Sequence, residues 1–330
     1  MINFATIGSG WITDSFIASA QSTKSWKLTS VFSRSESTAS SFAEKHNITS
    51  THTSLEALAS DKEVQAVYIA SPNSLHYHHA KQMLAAGKHV ILEKPATSTL
   101  KELQELFSIA KLHNVFLLEA FRHLHEPNFV VLKKAIGEKL GPVYGASLNY
   151  ASYSSRYNNV LAGETPNIFS LEYSGGALVD LGVYPISAAV ALLGRPVSQT
   201  YKPVIIRTGA DGGGIVVLNY ETFAVSINAS KIYTSAAPSE VYGEKGTLSC
   251  NGVTDIERVD FLDAKNKTVE KLGRGRVELN MADEANAFAK IIEEMDEVEA
   301  QKLQRISMVV QSVTEDLRRQ NGLLFKVETE

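Results

Sequence analysis

The run Ile2-Asn-Phe-Ala-Thr-Ile7 is β-prone, and it passes directly into Gly8-Ser-Gly10-Trp-Ile-Thr13. Ile12, Phe16, Ile17 and Ala20 then recur at helical spacing. Strand, glycine turn and helix in that order leave few folds open, since a doubly wound α/β domain is built from such units. Each glycine has a physical task. Gly8 allows the tight turn, Gly10 lets a diphosphate approach the backbone, and the helix start offers N–H groups at the positive end of its dipole. Gly8, Ser9, Gly10, Trp11 and Ile12 are therefore candidate cofactor contacts. Thr13 stands where the fingerprint has Gly or Ala, so close packing of helix on strand is less assured there.

The next strand, Lys27–Phe32, ends in Ser33-Arg34, where an NAD-binding chain places an acid for the ribose hydroxyls. A hydroxyl beside a guanidinium suits a 2′-phosphate. NADP is favoured, with NAD use still open through Glu36. Val64–Ala70 is a third strand, and Ser71-Pro-Asn-Ser-Leu-His76 turns it into a helix, which brings Ser71, Pro72, Asn73 and His76 towards the cofactor. His76, His78 and His79 diverge around that helix, and no metal site is expected. Val90-Ile91-Leu92 is an apolar strand closing in Glu93-Lys94-Pro95. A lysine just past the carboxyl end of a parallel strand can face a bound substrate, so Lys94 is the first catalytic candidate, with Glu93 beside it at the cofactor. Thr99-Leu-Lys-Glu102 has capping-box spacing ahead of a Leu100, Leu103, Leu106, Phe107 stripe.

The second half changes character. Val143–Tyr150, Val204–Thr208, Ile215–Tyr220 and Phe223–Ala229 read as strands joined by short turns, Asp211-Gly-Gly-Gly214 among them. An α+β domain with a large, mostly antiparallel open sheet is expected. Its uncovered face would serve a homodimer or a dimer of dimers. Gly175–Leu193 reads as a helix that puts Asp180 and Tyr184 on one face, with a break at Pro185. Arg122, His123, Tyr153, Arg156 and Tyr157, where this half begins, are candidate substrate contacts. Leu303, Ile306, Val310, Val313 and Leu317 mark a long amphipathic helix. The expected division is 1–121, 122–300 and a terminal helix 301–330 that packs on its own domain or returns to the first.

With 44% hydrophobic residues, 21% charged and a net charge of -4, the chain shows no nucleic-acid or membrane footprint. The lone Cys250 makes neither an intrachain disulfide nor a zinc site. The first strand begins too early for a signal peptide, and no apolar run is expected to reach bilayer length, so a cytoplasmic location is expected.

Taken in order, Gly8-Ser-Gly10, Ser71-Pro-Asn-Ser-Leu-His76, Gly87-Lys-His-Val-Ile-Leu-Glu93-Lys94-Pro95 and Gly175-Gly-Ala-Leu-Val-Asp180-Leu-Gly-Val-Tyr184 give the chain its likeness. It resembles the Gfo/Idh/MocA family of NAD(P)-dependent oxidoreductases over nearly its whole length. The resemblance implies a Rossmann domain, an open-sheet domain, and hydride transfer between a nicotinamide and a carbinol or carbonyl carbon. It places Lys94 by the substrate hydroxyl with Asp180 and Tyr184 facing it. Tyrosine at 184 looks like the dihydrodiol and xylose dehydrogenase branch. Leu124 departs from the family pattern, where an arginine is frequent. The implied chemistry has Tyr184 exchanging a proton with the reacting oxygen, Lys94 favouring its phenolate, and Asp180 holding the substrate hydroxyl or the lysine. A sugar, polyol or cyclic diol is the expected small-molecule substrate. The rivals are a redox-neutral enzyme that cleaves glycosides and a non-catalytic dinucleotide-responsive regulator.

Overall fold

The computed structural model describes residues 1–275 and 278–329. The first half alternates β1 (Ile2–Ile7), α1 (Trp11–Ser22), β2 (Trp26–Phe32), α2 (Glu36–Lys45), β3 (Ser50–His52), α3 (Leu55–Ser60), β4 (Ala66–Ile69) and α4 (Asn73–Ala85). β5 (His89–Leu92), α5 (Leu100–Leu112), β6 (Leu117–Glu119) and α6 (Pro127–Ala135) follow. The second half has β7 (Val143–Ala151), α7 (Arg156–Leu161), α8 (Val183–Leu193), β8 (Ser198–Ile205), β9 (Asp211–Asn219) and β10 (Ala224–Ser230). It continues with β11 (Ser239–Gly243), β12 (Gly246–Cys250), β13 (Val259–Asp263), β14 (Val269–Lys271), α9 (Ala282–Glu294) and α10 (Glu297–Arg319).

Two compact units emerge: Met1–Arg122 with Leu279–Met308, and His123–Glu278 with Val309–Glu330. In the first, a parallel sheet has the order β3-β2-β1-β4-β5-β6. The order reverses between β1 and β4, which opens the ligand crevice of such a sheet at their carboxyl ends. On one face Phe4, Phe16, Trp26 and Tyr68 pack with Phe16 stacked on Tyr68 at 3.9 Å between ring centroids. The other face buries Ile7, Val67, Ile69, Met83, Leu92, Leu103 and Leu106. The Thr99 capping box starts α5 as expected. Thr13 is fully buried, with an Oγ1 that lacks a hydrogen-bond partner among the described residues.

The division of the chain differs from the expected one because α9 belongs to the first unit. Its Ala285, Phe288 and Ile292 join the Phe4 and Trp26 cluster, and Trp26 Nε1 donates to the Ala285 carbonyl at 2.9 Å. α10 contributes Leu303 to that cluster and buries Val310, Val313 and Leu317 in the second unit.

In the second unit, eight strands run β14-β13-β12-β11-β7-β10-β9-β8, antiparallel except for β7 with β10. Asp211-Gly-Gly-Gly214 is not a turn: it lies inside β9, and the chain reverses at residues 206–210, where Ile206 N–H donates to the Ala210 carbonyl. The expected strand at 204–208 ends at Ile205 and starts earlier, at Ser198. The irregularity expected of Pro185 is present in the turn just before it. A π-helical turn spans Leu178–Gly182 and runs straight into α8, Gly182 and Val183 both being αR; Leu181, whose carbonyl the Pro185 ring would crowd, lies within it. Against expectation, one apolar helical run, Leu171–Leu193, does reach bilayer length. Of its 18-residue apolar window, 72% is buried within the protein, as in the core helix of a globular unit.

Candidate active site

The glycine turn after β1 is tightly built. Gly8 has φ +116°, and a Cβ there would lie 2.5 Å from the Ala70 carbonyl oxygen. Gly10 has open space within 4 Å and no side chain to cap α1, so the helix start can receive an anion. Ser9, Gly10 and Trp11 are exposed, while Ile12 packs on the core. These features fit a dinucleotide diphosphate. Beside them a cavity of about 360 Å³ is lined by Ser9, Ser37, Thr38, Ser41, Phe42 and Lys45. Ser33 is half-buried, with its N–H on the His52 carbonyl, and Arg34 is exposed. The α2 hydroxyls escaped the sequence reading, although Ser37 and Thr38 follow Arg34 almost directly.

After β4, Ser71, Pro72 and Asn73 are half-buried, and Ser71 Oγ lies 3.0 Å from His79 Nδ1. His76 is held within the fold. It is 1% exposed, its ring nitrogens lying 2.9 Å from the Pro95 carbonyl and 2.8 Å from the Ser71 carbonyl. Burial, with the Lys94 charge adding to it, holds its pKa down at about 4 despite those two carbonyls. The neutral ring donates to only one of them, and it braces the turn before Asn73 against the one after Lys94.

Lys94 is half-buried just beyond β5. Glu93 is buried and accepts from Tyr68 OH at 2.7 Å and from the Lys94 N–H at 3.3 Å. Burial pushes its carboxyl up, against the pull of Lys94 and Tyr68. Glu119 accepts from the Ala96 N–H at 2.8 Å, and burial pushes it up to about 7. Glu284 of α9 is fully buried, with neither carboxyl oxygen hydrogen-bonded among the described residues. Burial first, then the Glu93 charge, raises it well above the ordinary range. Arg122, half-buried, opposes the shifts of Glu93 and Glu284 electrostatically.

In the second unit, Tyr184 is the second residue of α8 and 9% exposed. Its ring meets His123 and Tyr150 edge to face, with centroids 5.0 and 5.2 Å away. His123 is fully buried, and its Nε2 lies 3.0 Å from Ser187 Oγ and helps to hold α8. Asp180 sits in the π-helical turn, and its Oδ2 is paired with Lys231 Nζ. Lys231 Nζ also lies 5.5 Å over the Phe169 ring. Tyr157 packs on Phe169 and Tyr153 on Tyr157, each at 5.8 Å. Tyr153 and Arg156 are exposed, and Tyr153 OH donates to Asn158 Oδ1. Lys231 escaped the sequence reading, yet it carries the signal that singled out Lys94, a cation just past the end of a strand.

A family model described as the oxidoreductase family with NAD-binding Rossmann fold matches residues 2–121. Another, the GFO/IDH/MocA C-terminal domain, matches residues 130–249. The chain is 38% identical over 329 residues to the scyllo-inositol 2-dehydrogenase (NADP(+)) of Bacillus subtilis (strain 168), with 99% of each covered. Over 225 residues it is 26% identical to the trans-1,2-dihydrobenzene-1,2-diol dehydrogenase of Xenopus tropicalis, covering 67% of this chain and 66% of that one. A solved 3-ketoreductase from Actinomadura kijaniata, in complex with NADP and TDP-benzene, shares the fold with a TM-score of 0.83 at 22% identity, covering 96% of this chain and 97% of that one. With both halves matched in order and a relative alike from end to end, the chain belongs to the Gfo/Idh/MocA family of NAD(P)-dependent oxidoreductases.

Proposed function

We propose that the enzyme uses NADP to oxidise or reduce a hydroxyl-bearing carbon of a cyclic polyol, sugar or diol. The observation that carries this reading is the end-to-end likeness to an NADP-dependent inositol dehydrogenase. Exposed Arg34 beside Ser33, with the Ser37 and Thr38 hydroxyls nearby in sequence, supports NADP over NAD. Bound nicotinamide supplies the hydride acceptor or donor. Tyr184 exchanges the proton of the reacting oxygen, Lys94 supplies a cation that favours the charged form of that oxygen or of the phenol, and Asp180 orients a substrate hydroxyl. Tyr153, Arg156 and Tyr157 contribute polar contacts to the ring substituents.

In this reading the protein is cytoplasmic and a homodimer or dimer of dimers. Support for self-association comes from β10, whose Val225 and Ile227 are buried while Ala224 and Ser226 on the opposite face are exposed. A monomer by sedimentation equilibrium would rule it out.

The test is titration with NADP and NAD, followed by an NADPH absorbance screen with scyllo-inositol, other polyols and cyclic diols. Tighter NADP binding with turnover on one of them is expected. Binding without any net NADPH change would favour the redox-neutral enzyme or the regulator. Tyr184→Phe should lower kcat by roughly 10²–10⁴-fold with NADP affinity unchanged, and full turnover in that variant would remove Tyr184 from the chemistry.

A further inference from the structure

Lys231 stands 51 residues along the chain from Asp180, and its ammonium is nearly out of water. Its side chain is 5% exposed, against 27% for that of Asp180. A buried lysine charge is costly to hold unless it is met by partners, and here it is met by the Asp180 carboxylate and the face of Phe169.

The surrounding backbone fixes both members of the pair. The Lys231 N–H donates to the Gly212 carbonyl at 2.8 Å, and the Lys231 carbonyl accepts from the Ser154 N–H at 2.9 Å. Residues 230–232 run so close to β9 that a Cβ on Gly213 would lie 2.7 Å from Ser230 Oγ, and one on Gly212 2.8 Å from Ile232 Cγ2. The glycines therefore admit the segment that delivers the lysine. Their neighbour Asp211 accepts from the Leu178 N–H at 2.7 Å and from Tyr201 OH at 2.8 Å. Leu178 is the first residue of the π-helical turn that carries Asp180. One stretch, Asp211-Gly-Gly-Gly214, thus anchors the turn under the acid and makes room for its cation.

We infer that Lys231 is a positioning residue for the reaction: it holds the Asp180 carboxylate charged and in one orientation, so that Asp180 meets the substrate hydroxyl without reorganising. This rests on the proposed role of Asp180. The lysine is too buried to act except through that carboxylate. Its worth therefore lies in turnover and not in cofactor binding.

The test compares Lys231→Met, Lys231→Arg, Asp180→Asn and the Asp180→Asn/Lys231→Met double variant, all with NADP and a polyol that the wild type turns over, scyllo-inositol being tried first. Lys231→Met should lower kcat more than about tenfold while NADP affinity stays within about twofold. Arginine should recover most of the loss, because it restores the charge. In the Asp180→Asn background the methionine should cost less than about threefold, since residues acting as one unit are not additive. The double variant, in which neither member of the pair remains as a lone buried charge, should also unfold at a higher temperature than Lys231→Met. The inference is overturned if Lys231→Met keeps the wild-type kcat, if arginine and methionine are equally slow, or if the double variant loses the full product of the single losses. A wild type that turns over no polyol would instead overturn the substrate reading, and this inference would fall with it.

Discussion

Glu119 and Glu284 lie in the first unit with raised pKa values, burial being the main cause for each. The sign of their effect on stability follows. A carboxyl whose folded pKa is above its ordinary 4.5 binds its proton more tightly in the native state, so its contribution is complete below that value and is lost as pH rises through the folded pKa. For Glu119, folded at about 7, the loss between those limits is about 3 kcal/mol. Glu284 acts in the same direction and has no hydrogen bond among the described residues to offset its burial. Glu284→Met should therefore be more stable than wild type at pH 8, and its stability should fall less between pH 5 and pH 8. Urea unfolding at the two pH values measures both. An unchanged pH slope would mean that Glu284 is ionised or solvated in the native protein. At this scale the sequence disclosed what is local. Gly8 and Lys94 each stand at the end of an apolar strand, and a strand end is visible in a short window. The pairing of Asp180 with Lys231 is a contact between distant stretches, and no spacing rule reports it.

Among the elements, the π-helical turn Leu178–Gly182 was largely legible. That Asp180 and Tyr184 occupy neighbouring turns was legible from their separation, and Pro185 announced an irregular helix. The irregularity lies where a proline ring puts it, in the turn that holds the Leu181 carbonyl. Asp211-Gly-Gly-Gly214, by contrast, misled. Glycines that permit reversal and glycines that permit close approach have the same letters, and here they serve approach. Asp211 is the strut of this element. Asp211→Ala leaves the Leu178 N–H and Tyr201 OH without their buried acceptor, at roughly 1–3 kcal/mol for each donor. Asp211→Asn keeps an acceptor and should lose clearly less. Thermal unfolding of the two variants tests this, and equal losses would show that the charge, and not the accepted hydrogen bonds, holds the turn.

The molecule as a whole is divided by packing and not by order along the chain. Alternating strands and helices made the parallel sheet and its glycine turn readable, and short runs between turns gave the second sheet. What covers one face of the parallel sheet was not readable, because α9 lies more than half the chain away and its apolar stripe names no partner. A fragment of residues 1–122 leaves Phe4, Phe16 and Trp26 without Ala285, Phe288 and Ile292. It should show no cooperative thermal transition, whereas the same fragment joined to residues 279–308 by a flexible linker should unfold cooperatively. A cooperative transition in the short fragment would show α9 to be dispensable. The returning segment also sets a timetable for synthesis. The part of the protein that leaves the ribosome first cannot be finished until α9 has emerged, on the order of ten seconds later at ordinary elongation rates. Throughout that interval the nascent chain carries an open aromatic surface, which makes it a client for chaperones that bind during translation.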